Sequence, residues 1–167
     1  MPTRLAVIAD THLTPTSPRD LPAEVWREIE RADLVLHAGD VNTPDLLERI
    51  GAAIPVVAVL GNNDVGLDHL PERWSDTIDG VRLAMVHDSG PTRGRPARMR
   101  RLFADADLIV FGHSHAPVDE EGLDGQRLLN PGSPTHRRRQ PVHTMAVVTL
   151  DAGSVTTRIV EVGPNAR

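Results

Sequence analysis

The chain contains no cysteine, no lysine and no tyrosine. The absence of cysteine excludes thiol catalysis, a disulfide framework and any zinc or iron–sulfur site with thiolate ligands. All 18 basic residues are therefore arginine, which we attribute to GC-rich codon usage rather than to function. Aromatic residues make up only 2% of the chain, so it offers hardly any surface on which single-stranded nucleic acid could stack.

Positive charge is also in short supply, because 23 acidic residues face 18 basic ones and the formal charge is −5. This balance lacks the positive field of a general nucleic-acid binder. No stretch approaches the ~20 apolar residues of a membrane span, and the N-terminus lacks the apolar core of a signal peptide. We therefore expect a cytoplasmic protein that binds neither membranes nor nucleic acid in general. The sequence is compatible with a homo-oligomer.

The 167 residues are enough for one domain, and we assign residues 1–163 to it, with 164–167 as a frayed C-terminus. Short apolar runs that suit strands buried on both faces occupy 5–9, 34–37, 56–60, 83–86 and 108–111. Helices are predicted at 22–32, 44–52 and 96–104, with Thr43 as an N-cap. The alternation predicts parallel βαβ units, while hairpins at 77–86 and 142–162 add antiparallel strands.

Polar side chains that could bind metal follow each of the five apolar runs. They are Asp10, His12, Asp40, Asn62, His87, His113 and His115. Ligands in open α/β sheets bind at the carboxyl ends of the strands, so these side chains are expected to meet. Seven oxygen and nitrogen donors are too many for one tetrahedral metal, and they suit two ions that share a carboxylate. Donors of this kind, without sulfur, suit Mn²⁺, Fe²⁺, Zn²⁺, Co²⁺ or Ni²⁺.

Each of these motifs is weak when it is taken alone. Asp-x-His is common, Gly-Asp at a strand end is more often a turn, and Gly-Asn-Asn-Asp is itself a turn signal. A serine hydrolase is an alternative, because Gly112-His113-Ser114-His115-Ala116 approximates the G-x-S-x-G elbow. The last glycine of that elbow is missing and no helix follows, so the ordered set of strand-end donors favours a metal site.

The ordered motifs resemble the calcineurin-like metallophosphoesterase superfamily. They are Asp10-x-His12, Gly39-Asp40, Gly61-Asn62-x-Asp64, His87 and Gly112-His113-Ser114-His115. The small size and Asn130-Pro131-Gly132-Ser133 resemble its compact bacterial and archaeal phosphodiesterase branch. The resemblance implies an α/β fold in which two mixed β-sheets form a sandwich flanked by helices, in four αββα layers. It also implies hydrolysis of a small phosphate ester by a hydroxide that bridges two divalent ions, with Mn²⁺ the first candidate.

The resemblance also implies a role for each site residue. Asp10, His12 and His115 would hold the first metal; Asn62, His87 and His113 would hold the second; and Asp40 would bridge them. Asp40, Asn62 and the outer carboxylate Asp64 form the predicted catalytic group. A phosphomonoesterase remains an alternative, as does a non-catalytic scaffold like the metallophosphoesterase-like subunit of the eukaryotic retromer.

Two further residues are predicted to contact substrate. Asn63 stands where many relatives have a histidine that protonates the leaving group, and an amide cannot act as an acid, so good leaving groups should be preferred. His136 lies beside three arginines whose planar guanidinium groups suit phosphate.

Asp88 follows His87 where the family usually has glycine. His37 is predicted to be a structural core residue, and the arginines of 93–101 a solvated helix face.

Overall fold

The computed structural model describes residues 1–163, where it contains ten strands and three helices. The strands are β1 (Thr3–Ile8), β2 (Leu34–His37), β3 (Val56–Ala58), β4 (Arg73–Ile78), β5 (Val81–Val86), β6 (Leu108–Val110), β7 (Val118–Glu121), β8 (Arg127–Asn130), β9 (His143–Asp151) and β10 (Ser154–Val162). The helices are α1 (Ala23–Glu30), α2 (Pro44–Gly51) and α3 (Arg95–Leu102). Each helix has eight residues, and none is long and apolar enough to cross a membrane. The predicted fraying of 164–167 lies outside the described residues.

The first sheet has the strand order β10-β9-β1-β2-β3. Strands β1, β2 and β3 are parallel and are connected through α1 and α2, as the βαβ prediction requires. In the register of the first pair, Val7 lies opposite Leu36. β9 is antiparallel to β1, and β10 completes the predicted C-terminal hairpin.

The second sheet has the order β4-β5-β6-β8-β7. The predicted β4–β5 hairpin is present and turns at Asp79-Gly80, both with positive φ. β5, β6 and β8 are parallel, and β7 is antiparallel to β8. The sequence did not predict β7 and β8, because β7 reads Val-Asp-Glu-Glu and carries no apolar alternation at its half-exposed edge position.

The two sheets pack face to face, with helices on both outer sides. Leu5 and Val7 point into the space between the sheets, where they join Leu83 and Val110. Their neighbours along β1 point outward into a second core that includes Val25 of α1 and Leu46 of α2. On the far side, Met99 of α3 packs on the second sheet in a third cluster. The αββα sandwich is confirmed, and burial of both sheet faces explains the continuous apolar runs.

One local prediction is wrong, that of a solvated Arg95, while the predicted N-cap Thr43 is confirmed in position but lacks the capping hydrogen bond. Arg95 belongs to the basic segment expected to be solvated, yet it is only 5% exposed. Its Nε donates to Ser89 Oγ at 2.9 Å and its Cζ lies 4.9 Å from the Phe111 ring centroid, so stacking and a hydrogen bond compensate its burial. Thr43 occupies the N-cap position of α2 but makes no capping hydrogen bond, because its hydroxyl donates to the Leu13 carbonyl and to Asp45.

Candidate metal centre

The seven predicted donors come together at the carboxyl ends of five strands. Asp10 and His12 follow β1, Asp40 follows β2, and Asn62 follows β3. His87 follows β5, and the segment with His113 and His115 follows β6. Three of these strands belong to the first sheet and two to the second, so the sandwich brings the ends of both sheets to one site.

The backbone at the site adopts conformations that ordinary residues avoid. Five of the seven donors have positive φ, between 48° and 70°: Asp10, His12, Asp40, His113 and His115. Non-glycine residues in this region cost free energy, and such residues cluster at functional sites. The strained loops turn each side chain back toward a common centre.

Two glycines allow the donor loops to approach each other. Gly39 has a φ of 91°, and a Cβ there would lie 2.6 Å from His87 Nδ1. A Cβ on Gly61 would lie 2.2 Å from both the backbone nitrogen and Oδ1 of Asp40. Neither contact is possible for a real side chain. The glycines of the Gly-Asp and Gly-Asn motifs are therefore needed because the site is closely packed around them.

The first predicted ligand set is assembled in the structure. One donor atom each from Asp10, His12 and His115 lie within 4.8 Å of one another. His12 Nε2 lies 3.2 Å from His115 Nε2, and the two rings are stacked with centroids 5.0 Å apart. Asp10 is completely buried and His115 is 2% exposed, so this set lies at the bottom of the site.

The second predicted set lies nearer the surface. Asn62 Oδ1 is 3.0 Å from His87 Nε2 and 3.2 Å from His113 Nδ1. His113 Nδ1 is also 3.3 Å from His87 Nε2, so the three donor atoms form a compact triangle. The His113 side chain is 43% exposed and Asn62 is exposed, which leaves this side of the site open to a ligand from solvent.

Asp40 lies between the two sets. Its Oδ2 is 3.6 Å from His12 Nε2 and 3.5 Å from His87 Nε2. Asp10 also reaches both sides, because its carboxylate forms a second close group with Asp40 and His87. The family resemblance implies Asp40 as the shared ligand; the structure adds that Asp10 is central as well.

The imidazole tautomers leave lone pairs directed into the site. His12 Nδ1 donates to Asn42 Oδ1 at 3.0 Å, and His115 Nδ1 donates to the His136 carbonyl. Burial lowers the pKa of His12 and lowers that of His115 to about 4, so both rings are neutral at pH 7. With their other nitrogens acting as donors, the two neutral rings direct lone pairs toward each other at 3.2 Å, an arrangement suited to a cation bound by both.

Asp10 is the second sign that a cation belongs here. Both of its carboxylate oxygens are buried and accept no hydrogen bond of normal geometry from the described residues, 1–163. Burial raises the pKa of Asp10 to about 7. A buried carboxylate without donors is costly unless it is paired with positive charge or coordinates a metal. The residues present therefore fit divalent ions with oxygen and nitrogen ligands.

Asp64 and Asn63 hold the loops of the site. Asp64 accepts hydrogen bonds from the backbone nitrogens of Gly61 at 2.7 Å and Asn42 at 2.8 Å, which ties the β2 loop to the β3 loop. Asn63 donates to Asp40 twice, from its backbone at 2.9 Å and from Nδ2 at 2.8 Å. Burial alone would raise the pKa of Asp40, but the His87 imidazole and the Asn63 donors hold it well below its usual range. Asp40 is therefore ionised.

His136 is beside the site, where its backbone carbonyl accepts from His115 Nδ1 and its ring lies near that of His12. Its ring centroid lies 5.1 Å from that of His12, and its predicted contact with substrate remains a prediction. His37 is fully buried and bonds to Thr11 Oγ1 at 2.9 Å, as expected of a core residue.

Sequence reasoning missed the residues that support the ligands. Asn42 holds His12, and Ser133 Oγ donates to the Asp10 carbonyl at 2.8 Å. Asn130 Nδ2 donates to the Gly112 carbonyl at 3.0 Å, so the Asn-Pro-Gly-Ser segment braces two ligand loops. Asn42 could have been found, because it follows Asp40 at the same two-residue spacing that separates Asp10 from His12.

The serine hydrolase alternative is not supported by the surroundings of Ser114. Its hydroxyl contacts Asn130 Nδ2 at 3.2 Å and accepts from the Ala116 backbone at 3.3 Å. Among residues 1–163 it has no hydrogen bond to an imidazole, so the base needed for a serine nucleophile is missing.

The family comparison agrees with this geometry. The family described as the calcineurin-like phosphoesterase superfamily domain matches residues 3–153. The chain belongs to this superfamily. A "Probable metallophosphoesterase" of Methanothermobacter thermautotrophicus is 33% identical over 163 residues, which cover 95% of this chain and 92% of the relative. One from Methanocaldococcus jannaschii is 35% identical over 134 residues, 78% of this chain and 68% of the relative. As a calcineurin-like phosphoesterase, the protein is a metal-dependent phosphoester hydrolase.

Solved structures share the calcineurin-like fold. A Thermotoga maritima protein is 29% identical with a TM-score of 0.73, covering 96% of this chain and 99% of that one. Vacuolar Protein Sorting 29 of Cryptosporidium parvum has a TM-score of 0.78 at 19% identity, with coverages of 98% and 99%. A structure described as a novel archaeal phosphodiesterase has a TM-score of 0.69 at 17% identity, with coverages of 95% and 100%. At these two lower identities the likeness concerns the fold alone.

Proposed function

We propose that this metallophosphoesterase hydrolyses phosphodiesters with two divalent metal ions, of which Mn²⁺ is the first candidate. The observation that carries the proposal is the pair of facing imidazole nitrogens of His12 and His115, 3.2 Å apart, beside the buried carboxylate of Asp10, whose Oδ1 lies 3.6 Å from His115 Nε2. Burial alone would lower the pKa of His87, but Asp40 and Asp10 raise it, which shows how strongly these carboxylates attract positive charge. The donors contain oxygen and nitrogen without sulfur, which suits Mn²⁺, Fe²⁺, Co²⁺, Ni²⁺ or Zn²⁺.

The proposed ligands fall into two groups joined by Asp40. Asp10, His12 and His115 would hold one ion, and Asn62, His87 and His113 would hold the other. When bound, two such ions supply a hydroxide nucleophile at neutral pH and neutralise charge that builds up on the phosphate. The chain's own contribution is to fix the donors in place: the Ala38 carbonyl accepts from His87 Nδ1 at 2.7 Å, so that its Nε2 faces the site.

A diester is favoured over a monoester by the charge at the mouth of the site. Asp88 Oδ2 lies 3.9 Å from His113 Nε2, and its side chain is 57% exposed. This carboxylate would repel a dianionic monoester more than a monoanionic diester.

The test is metal-dependent turnover of two diesters that differ in their leaving group. With Mn²⁺ bound, kcat/KM for bis(p-nitrophenyl) phosphate should far exceed that for 2′,3′-cyclic AMP, because Asn63 cannot protonate a departing alkoxide. Replacing Asn63 by histidine should narrow the gap, and general acid catalysis is typically worth ~10²–10⁴-fold. Asn63→Ala is the matched control, since it removes the amide that holds Asp40 without adding an acid.

Two results would count against these statements separately. If neither diester is hydrolysed with any of the five metals, the proposed function is wrong. If Asn63→His and Asn63→Ala lower both rates equally and leave their ratio unchanged, residue 63 only positions Asp40.

A further inference from the structure

A basic pocket lies next to the metal centre on the loop that follows β8. It has a volume of about 540 Å³, and its charged or ionisable lining residues are Arg19, Arg137, Arg138 and His143. We call these four residues the basic pocket. Thr135 also lines it and donates through Oγ1 to the Thr11 carbonyl at 2.6 Å, inside the Asp10–His12 segment. This hydrogen bond joins the wall of the pocket to the segment that carries Asp10 and His12.

Arg138 connects the pocket to the metal donors. Its Nη1 donates to the backbone carbonyl of His113 at 3.3 Å. Its guanidinium is near enough to Asp10, His12 and His115 to act electrostatically on all three. Arg138 is exposed and lies in a turn, where its backbone has a left-handed conformation with a φ of 51°. An anion bound in the pocket could therefore share Arg138 with the loop that carries His113.

The positive charge of the pocket is not neutralised by the described part of the protein. None of its three arginines forms an ion pair with a carboxylate of residues 1–163. Arg137 donates to the Gln140 carbonyl at 2.6 Å instead, and Asp20, the acid next to Arg19, is bound by Arg49. Three arginines without an ion pair among residues 1–163 repel one another around one pocket, and a bound anion would offset that repulsion.

We infer that the basic pocket is a second anion-binding subsite of the same active site, and that the favoured substrate is a phosphodiester with a second phosphate group close to the scissile one. This inference rests on the proposed function. Arginine's planar fork matches phosphate oxygens in paired hydrogen bonds, which gives both affinity and orientation. Burial lowers the pKa of His143, so its ring adds no charge of its own to the pocket at neutral pH.

The test uses two matched pairs of compounds with the Mn²⁺-loaded protein. The binding pair is thymidine 5′-monophosphate and thymidine 3′,5′-bisphosphate, measured by isothermal titration calorimetry. The turnover pair is the p-nitrophenyl ester of thymidine 5′-phosphate with and without a 3′-phosphate. We expect the second phosphate to improve both affinity and kcat/KM by about 10-fold or more, as charge-assisted bonds to arginine allow.

Three variants locate the effect. Arg19→Ala and Arg137→Ala come from different segments of the pocket, and each should reduce the advantage of the second phosphate several-fold. Arg158→Ala is the control, because this exposed arginine lies in the middle of β10 and makes the same change in net charge. It should leave the advantage unchanged.

The possible outcomes test the anion-binding subsite separately from the proposed phosphodiester hydrolysis. Equal affinity of the wild-type protein for the mono- and bisphosphate would overturn the inference, as would an advantage that survives in both pocket variants. Absence of turnover for both esters, with the binding advantage lost in the pocket variants, would reject the hydrolysis and keep the subsite.

Discussion

Replacing Asp40 by asparagine should lower diester turnover by at least about 100-fold at saturating Mn²⁺ while the protein remains folded. Its Oδ2 lies 3.6 Å from His12 Nε2 and 3.5 Å from His87 Nε2, so one carboxylate serves both ligand groups. An amide of the same shape cannot supply the negative charge that two cations need. Loss of a residue that merely supports a metal ligand costs 10–100-fold, and loss of the shared ligand itself should cost more.

The fold should survive this substitution because Asp40 follows β2 and is not part of the apolar clusters. The measurements are kcat for bis(p-nitrophenyl) phosphate and the circular dichroism spectrum of each protein. Asp151→Asn, the same change at the exposed end of β9, is the matched control and should retain full activity. Near wild-type turnover by the Asp40 variant would contradict the proposed mechanism.

Replacing Asp10 by asparagine should have opposite effects on the metal-free and the metal-loaded protein. In the metal-free protein at pH 8, Asp10 is a buried carboxylate without hydrogen-bond donors, since burial raises its pKa only to about 7. A neutral amide removes this charge, and the free energy of unfolding should rise by about 1–3 kcal/mol, the usual cost of an unsatisfied buried group. For a chain of this length, that corresponds to a rise of roughly 2–12 °C in Tm.

The same variant should lose the stabilisation that Mn²⁺ gives to the wild-type protein. A ligand that binds only the folded state raises Tm by an amount that grows with its affinity and concentration, and Asp10 lies in both close donor groups. Thermal unfolding with chelator and with excess Mn²⁺, for both proteins, gives the four values needed. If the metal-free variant is less stable than the metal-free wild type, the Asp10 carboxylate has a stabilising partner within the protein, and the interpretation of Asp10 as an unpaired metal ligand is wrong.

The strand-end donors could be predicted because two rules of sheet structure operate together. A run such as 5–9 is apolar at every position, which indicates burial on both faces, and Leu5 and Ala6 do point to opposite cores. Parallel strands place their carboxyl ends on one edge, so Asp10 and Asp40 had to be neighbours. The convergence of donors from the second sheet does not follow from these rules, since it depends on how the two sheets pack.

Other features could not be predicted because they depend on contacts between distant segments. Arg95 reads as a surface residue by its charge, and only the Phe111 ring and the Ser89 hydroxyl explain its burial. The sequence does not distinguish the three adjacent arginines at 137–139. Within residues 1–163, only the Arg138 side chain among them donates a hydrogen bond to a loop that carries metal donors, at the His113 carbonyl. Which nitrogen of each histidine faces the site is likewise set by acceptors, such as the Ala38 carbonyl, that lie far away along the chain.

The most direct test of the central claim is an anomalous-scattering map of crystals of the Mn²⁺-loaded protein. The account predicts two peaks, ~3.5–4 Å apart as in other two-metal hydrolases, with Asp40 as a ligand of both. His12 and His115 should bind one peak, and His87 and His113 the other. A single peak, or two peaks of which one lacks Asp40 as a ligand, would contradict the binuclear site proposed here.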